Sequence, residues 1–334
     1  MIIDEIQIPQ KPVEFVGPMR PDIIDEHGVL RIDNSSLEHF TTCARSAEYY
    51  LLHRRELAVT KSALSFGSFI HKALEELYVQ YPDGAVTDTS KFINQVVAMS
   101  DEHFKENPVD EEETFRTPQR AVDTIVSYLA LSVAESFRVH SVDGKPQVEI
   151  YFELPLGEVE FNSTYNGKHF DNIQVIWCGR IDAIVELDGG LWIMDHKTTS
   201  ILGETFFADF ANSNAPIGYT WAAQQLLQRR VEGLFLNAIA IRKASKTGTP
   251  FDIQRQRFPY DPERIEEWKY NTLVLVSDFL SHMDRKFFPM ETKWCVGKYG
   301  KCPYFDVCTL PPAQRLPMLH SNFYRNVTWT PKNR

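Results

Sequence analysis

The chain has 334 residues, 43% of them apolar and 24% charged, with a net charge of −10 at neutral pH. That length exceeds an average domain and can bury one large core, while the acidic balance argues against a protein that simply coats nucleic acid and leaves room for a local basic groove. No run of about 18 apolar residues encodes a membrane span, and the first fifteen residues, MIIDEIQIPQKPVEF, carry acids and prolines where a secretory signal needs a basic and then an apolar stretch. An intracellular location, with no membrane partner, is therefore expected. Five cysteines, an odd number, do not suggest a disulfide framework in such a chain.

In chain order, residues 1–32 read as an irregular arm punctuated by Pro9, Pro12, Pro18 and Pro21. DNSSLEHFTTCARSAEYYLLHRR then starts a helix, with Ser35 and Glu38 spaced as a capping box and Leu37, Phe40, Ala44, Ala47 and Leu51 as its apolar stripe. SALSFGSFIHKALEELYVQY predicts a second helix, and two more are expected near 90–105 and 119–139, around the acidic loop NPVDEEET. The pattern then turns to β in QVEIYFELPLG and in IQVIWCGRIDAIVELDGGLWIMDHKTT, followed by a helix (YTWAAQQLLQRRV), a strand (GLFLNAIAIRK) and a long helix over 261–287. Helices, then a mostly antiparallel sheet, then helix–strand–helix predict an α/β or α+β core with a helical N-terminal portion. No G-x-x-x-x-G-K-[ST] phosphate loop is present, so no ATPase motor is encoded here.

The sharpest local signal is a charged strand end. Leu191, Trp192, Ile193 and Met194 read as a buried run, and Asp195, His196 and Lys197 follow without a break. Asp188-Gly189 is a strong two-residue turn, with Gly189-Gly190 as the alternative. With the first, Leu187 faces Gly190 and Asp182 lies opposite Asp195; Lys197 shares that face because side chains alternate. Two facing carboxylates repel and take up a proton or a cation, and hard oxygen ligands suit Mg²⁺ or Mn²⁺. An isolated D-x-K is more often a surface ion pair; the preceding apolar run and the second aspartate favour the metal reading.

CGRIDAIVELDGGLWIMDHKTTS resembles the core of the PD-(D/E)xK nuclease superfamily, and specifically its RecB-like exonuclease branch. The resemblance implies a restriction-endonuclease-like core, a central mixed sheet flanked by helices. It implies that Asp182 and Asp195 bind the metal, that Lys197 is the catalytic lysine, and that His196 lends its backbone carbonyl to the metal. The branch carries G-x-x-x-H on an upstream helix, here Gly67 and His71 in FGSFIHKALEELY, which adds His71 to the metal set. Of a further Q-x-x-x-Y motif, Tyr219 matches while Ala215 stands where glutamine is expected; Tyr219 either positions substrate or packs on the sheet.

Cys43, with Cys295, Cys302 and Cys308 in WCVGKYGKCPYFDVC, resembles the iron–sulfur subset of RecB-like nucleases, which includes AddB-type and CRISPR adaptation nucleases. The resemblance implies a [4Fe-4S] cluster joining the two ends of the domain. Four thiolates suit zinc as well, and C-x6-C-x5-C departs from the usual C-x2-C-x5-C, with Tyr299 at the expected position. The glycine-containing VGKYGK loop offers a way to bring Cys295 back, and Cys178 is expected to pack in the core.

The expectation is thus a Mg²⁺- or Mn²⁺-dependent deoxyribonuclease, an exonuclease before an endonuclease, in a bacterial or phage-infected cytoplasm. It acts on DNA ends in replication, recombination or repair, working with a separate helicase, recombinase or integrase. A non-catalytic DNA-end-binding or assembly subunit of the same fold is the alternative. One nuclease domain is expected over 33–310, divided into a helical part (33–145), a catalytic sheet (146–250) and a long helix with the cysteine segment (261–310). A basic, aromatic tail follows over 311–334. Candidate backbone contacts are Arg45, Arg54, Arg55, Lys72, Arg180, Arg242 and Lys243, and candidate stacking platforms are Tyr49, Tyr50, Phe323, Tyr324 and Trp329.

Overall fold

The computed structural model describes residues 23–58, 62–109, 114–131, 137–243, 250–297 and 300–327. Trp329, Tyr299 and most of the N-terminal arm lie outside them. In chain order the elements are β1 (Val29–Ile32), α1 (Asn34–Thr42), α2 (Ala44–Ala47), a π-helical turn Glu48–Leu52, β2 (Arg55–Leu57), α3 (Ser62–Gln80), α4 (Thr89–Glu106) and α5 (Pro118–Leu131). Then come β3 (Arg138–Val139), β4 (Ser141–Val142), β5 (Lys145–Pro146), β6 (Val148–Tyr165), β7 (Lys168–Leu187), β8 (Gly190–Thr199), α6 (Glu204–Ala211), α7 (Asn214–Leu227), β9 (Gly233–Ile241), β10 (Phe251–Pro259) and α8 (Pro262–Asp284). The chain closes with β11 (Val296–Gly297), β12 (Gly300–Lys301), α9 (Phe305–Cys308), α10 (Pro312–Leu319) and β13 (Tyr324–Asn326). This is the expected α/β class, a mixed sheet flanked by helices.

Two compact units divide the chain, one of residues 60–154 and 178–270, the other of residues 1–59, 155–177 and 271–334. In the first, β7, β8, β9 and β10 lie in that order. β7 and β8 are antiparallel, β8 and β9 parallel, and β9 and β10 antiparallel. All nine residues of β9 are buried, as expected of a strand covered on both faces. One face of this sheet, with Ala183, Val185, Met194, Phe235 and Ile239, packs on Phe66, Phe69, Ile70, Val96 and Ile125 of α3, α4 and α5. Each of the larger side chains among these contributes about 1.5–3 kcal/mol on burial, and this core fixes where α3 presents its polar residues.

In the second unit β1 runs parallel to the first part of β7, from Val29↔Gln174 to Ile32↔Trp177, and β2 pairs with β13. The helix expected from residue 33 is capped by Asp33 rather than Ser35. Ser36 N–H donates to Asp33 Oδ1 at 2.8 Å, and Asp33 N–H donates back to Ser36 Oγ at 3.3 Å. That helix also breaks at Cys43, whose backbone is extended. The helix expected over 119–139 gives way by Arg138, where β3 pairs with β7, because Val139 finds a place opposite Val185 in the sheet. β10 and α6 were not foreseen, and β6 and β7 run much longer than their apolar patterns suggested. They meet at Asn166-Gly167, both with positive φ (50° and 78°), a two-residue turn of the type that matches strand twist.

Candidate metal and nuclease site

The turn between β7 and β8 is Asp188-Gly189, with φ of 50° and 79°. Leu187 therefore pairs with Gly190, and the ladder runs to Ala183↔Met194. One step further Asp182 and Asp195 leave the ladder and carry the site: His196 N–H donates to Asp182 Oδ2 at 2.8 Å in place of a backbone carbonyl. β8 meanwhile continues along β9 to Thr199↔Ala240, so its charged end is held from one side while the other opens.

Into that opening α3 brings His71, whose Nδ1 lies 3.3 Å from Asp182 Oδ2. Gly67, one turn earlier, leaves room: a Cβ there would stand 3.5 Å from Thr198 Oγ1. β6 supplies Glu149, which the sequence reading missed. Among the described residues, His71, Glu149 and Asp182 form the group whose ligand atoms all lie within 4.8 Å of one another. Glu149 has φ +49°, the left-handed region that is uncommon for a non-glycine residue and breaks the strand's pleat. A signal existed: in QVEIYFEL a carboxylate sits between Val148 and Ile150, the same intrusion of charge into an apolar run that marked Asp195. Asp195 does not join this group; Lys197 Nζ holds both its oxygens, at 2.7 and 2.6 Å.

The electrostatics mark a site short of positive charge. Burial, then the neighbouring Asp182 and Glu75 carboxylates, push the Glu149 carboxyl up to about 7. Burial also raises Asp195, which the Lys197 ammonium does not fully offset. Burial would raise Asp182 too, but the His71 imidazole, by charge and hydrogen bond, holds it well below the usual carboxylate range. His71 moves the other way: burial lowers it, and Asp182 leaves it raised overall. Arg180 Nη1 contacts Glu149 Oε2 at 3.4 Å, a modest counter-charge. Two carboxylates and an imidazole in this state form a donor set that fits a divalent cation with mixed oxygen and nitrogen preference. Beside His71 opens a cleft of about 490 Å³, lined by Leu64, Ser68, Phe115, Arg116, Thr198 and Ser200 among others.

Tyr219 lies inside α7, not at its start, and packs edge-on to Phe152 over Gly179, where a Cβ would come within 2.8 Å of the tyrosine ring. Several candidate nucleic-acid contacts have other duties. Arg45 is buried and donates from Nε and Nη2 to Phe288 O, at 3.0 and 2.7 Å, and Tyr49, Tyr50 and Tyr324 are buried too. Phe323 is exposed.

The four outlying cysteines converge within the second unit, lining one pocket with Ser46, Trp294 and Tyr304. The C-x6-C interval is a β-hairpin: β11 pairs with β12, and Cys302 N–H donates to Cys295 O at 2.9 Å, which sets the two residues side by side. Cys43 sits at the break after α1, its sulfur accepting from Glu291 N–H at 3.3 Å. Burial raises Cys302 and takes Cys308 up to about 11, in part through the nearness of the other thiols. Cys178 is buried in the core, as expected. Among the described residues no cysteine forms a disulfide, and no helix is long and apolar enough to cross a membrane.

A family model described as the PD-(D/E)XK nuclease superfamily matches residues 34–309. No curated protein matches the chain. Among solved structures, an exonuclease candidate from Eubacterium rectale is 14% identical with a TM-score of 0.48, covering 79% of this chain and 85% of its own. A protein named SSO0001 is 12% identical with a TM-score of 0.24, covering 65% and 75%.

Proposed function

The chain belongs to the PD-(D/E)XK nuclease superfamily, and on that premise we propose that it is a divalent-metal-dependent deoxyribonuclease of the RecB-like branch, acting as an exonuclease. The observation that carries the reading is the meeting of His71, Glu149 and Asp182 within 4.8 Å, in the same unit as a Lys197–Asp195 pair at 2.6 Å. Mg²⁺ or Mn²⁺ would be held by His71, Asp182 and Glu149, with Asp195 and the His196 carbonyl completing the set, and when bound supplies Lewis-acid charge to a phosphodiester. The protein's own groups do the rest. Lys197, held by Asp195, places an ammonium where negative charge builds on the phosphoryl oxygens. His71 and the His196 N–H hold Asp182 ionised and in one orientation. The cleft beside His71, with its hydroxyls and Arg116, supports a path for the polynucleotide.

The test is cleavage of 5′- and 3′-labelled single- and double-stranded DNA with Mn²⁺. Lys197→Ala is expected to lower kcat by roughly 10²–10³-fold, the cost of one transition-state donor, with DNA binding retained. Equal background from wild type and Lys197→Ala would remove the nuclease reading.

We further propose that Cys43, Cys295, Cys302 and Cys308 hold a [4Fe-4S] cluster. Their convergence in one pocket and the hairpin that compensates the C-x6-C spacing support it. Four thiolates suit tetrahedral zinc as well, and metal analysis of the purified protein separates the two.

A further inference from the structure

On the far side of the Asp195–Lys197 strand end lies a buried polar chain that the mechanism above does not use. His196 is 4% exposed, and Tyr78, Tyr128 and Asn237 are fully buried. Asn237 Nδ2 lies 2.7 Å from His196 Nδ1 and 3.0 Å from Tyr128 Oη, while Asn237 Oδ1 accepts from Arg255 Nε at 3.0 Å. Arg255 Nη2 donates to Tyr128 Oη at 3.3 Å, and the Tyr128 and Tyr78 hydroxyls meet at 2.6 Å.

The donors fix the directions. A guanidinium cannot accept, so Oδ1 of Asn237 must face Arg255 and its Nδ2 must face His196. Both amide protons are then used, one on Tyr128 and one on His196 Nδ1. His196 Nδ1 is therefore an acceptor, and the ring's proton sits on Nε2. The ring is held on its faces as well: it lies parallel to Tyr78, centroids 5.9 Å apart, and edge-on to His71 at 5.9 Å. Polar groups this deep are costly unless satisfied, and Asn237, with both donors and its oxygen engaged, is satisfied in one orientation only.

We propose that Asn237 is a positioning residue for the nuclease site: by holding the His196 ring it fixes the β8 backbone between Asp195 and Lys197. That backbone carries both side chains and donates the His196 N–H to Asp182. The inference rests on the metal-site reading above for its consequence, though the clamp itself stands on geometry. Asn237 is 42 positions past Asp195, on β9 opposite His196 in the parallel register.

The test uses the full-length protein with Mn²⁺ as probe. Asn237→Leu removes the donor at similar volume. Asn237→Asp keeps a partner for Arg255 but turns an acceptor toward His196 Nδ1. Both are expected to weaken Mn²⁺ binding, followed by electron paramagnetic resonance, and to lower kcat on labelled DNA by roughly 10–100-fold, as loss of an outer-shell partner does. KM should change by less than about threefold, since substrate binding is not what is lost. Phe92→Leu, buried on α4 against Tyr81 and outside the chain of hydrogen bonds, is expected to lower Tm while leaving Mn²⁺ affinity and kcat at the wild-type level. The proposal is overturned if the Asn237 variants retain wild-type Mn²⁺ affinity, or if Phe92→Leu loses as much affinity at matched loss of Tm. Should both Asn237 variants fail to fold, ¹⁵N spectra of His196 in the wild type decide: an Nε2–H tautomer supports the clamp and an Nδ1–H tautomer overturns it. A wild type that binds Mn²⁺ and cleaves no DNA would sink the nuclease reading, while the Mn²⁺ and tautomer measurements would still judge Asn237.

Discussion

Glu149 bears the electrostatic tension of the site. Folded, it binds a proton more tightly than in the unfolded chain, with its carboxyl raised from 4.5 to about 7. The metal-free fold therefore has the full benefit of that proton below about pH 4.5 and loses it as the pH rises to about 7. Glu149→Gln, which cannot lose the proton, should gain stability relative to wild type across that window. Melting curves of both proteins in chelator, compared at each pH, measure it; parallel curves would show Glu149 to be unstrained. A dication reverses the sign. Mn²⁺ affinity of the wild type should climb over the same interval as the carboxylate becomes available, and the climb should shrink in the glutamine variant.

β7 owes its path to what it touches on α7. Gly179 admits the Tyr219 and Phe152 rings to distances of 2.8 and 2.9 Å from where a Cβ would be. Gly179→Ala should cost about 1–3 kcal/mol by overpacking, seen as a lowered urea midpoint with unchanged slope; an unaffected midpoint would mean that the two rings move aside freely. Because Gly179 is three residues before Asp182, activity should fall along with stability. The β7–β8 turn was legible in advance since Asp-Gly between apolar runs specifies a hairpin by local backbone preference alone. Asn166-Gly167 carried the same signal and was passed over, because the flanking residues are polar and hid the strands on either side of it.

Segments near residues 43–55 and 288–308 come together in one unit through contacts that sequence patterns do not reveal. Arg45 spans from α2 to the Phe288 carbonyl, Tyr304 Oη donates to Arg55 O at 2.6 Å, and Cys43 meets the Glu291 amide. The cluster proposed above, closing so long a loop from residue 43 to 308, would add stability by restricting the unfolded chain. Protein purified without oxygen is expected to contain iron and acid-labile sulfide, to lose both in Cys302→Ser, and to melt at a lower temperature in that variant. Stoichiometric zinc in place of iron would overturn the cluster assignment while keeping the clip. The net charge of −10 is compatible with the DNA path proposed above, which would need only a local positive patch such as Arg116 beside the cleft.

Periodicity and turn chemistry were enough to place Asp182, Asp195 and Lys197 at one strand end, because hairpin register is a nearest-neighbour property. A two-residue turn and strict alternation leave little freedom over the ten or so residues concerned. His71 and the cysteines were recognisable only through a resemblance to a known family, the cysteines despite an interval that departs from it, and no local rule brings them to their partners. Glu149 and Asn237 were out of reach altogether. Each acts across the sheet or between separate strands, 33 and 41 positions from the residue it serves, and such contacts depend on how α3, α5 and the strands close around one core. Only that closure gives an ordinary glutamate its raised proton affinity and an ordinary asparagine its single orientation, since both effects arise from exclusion of water and from neighbours that the chain supplies at long range.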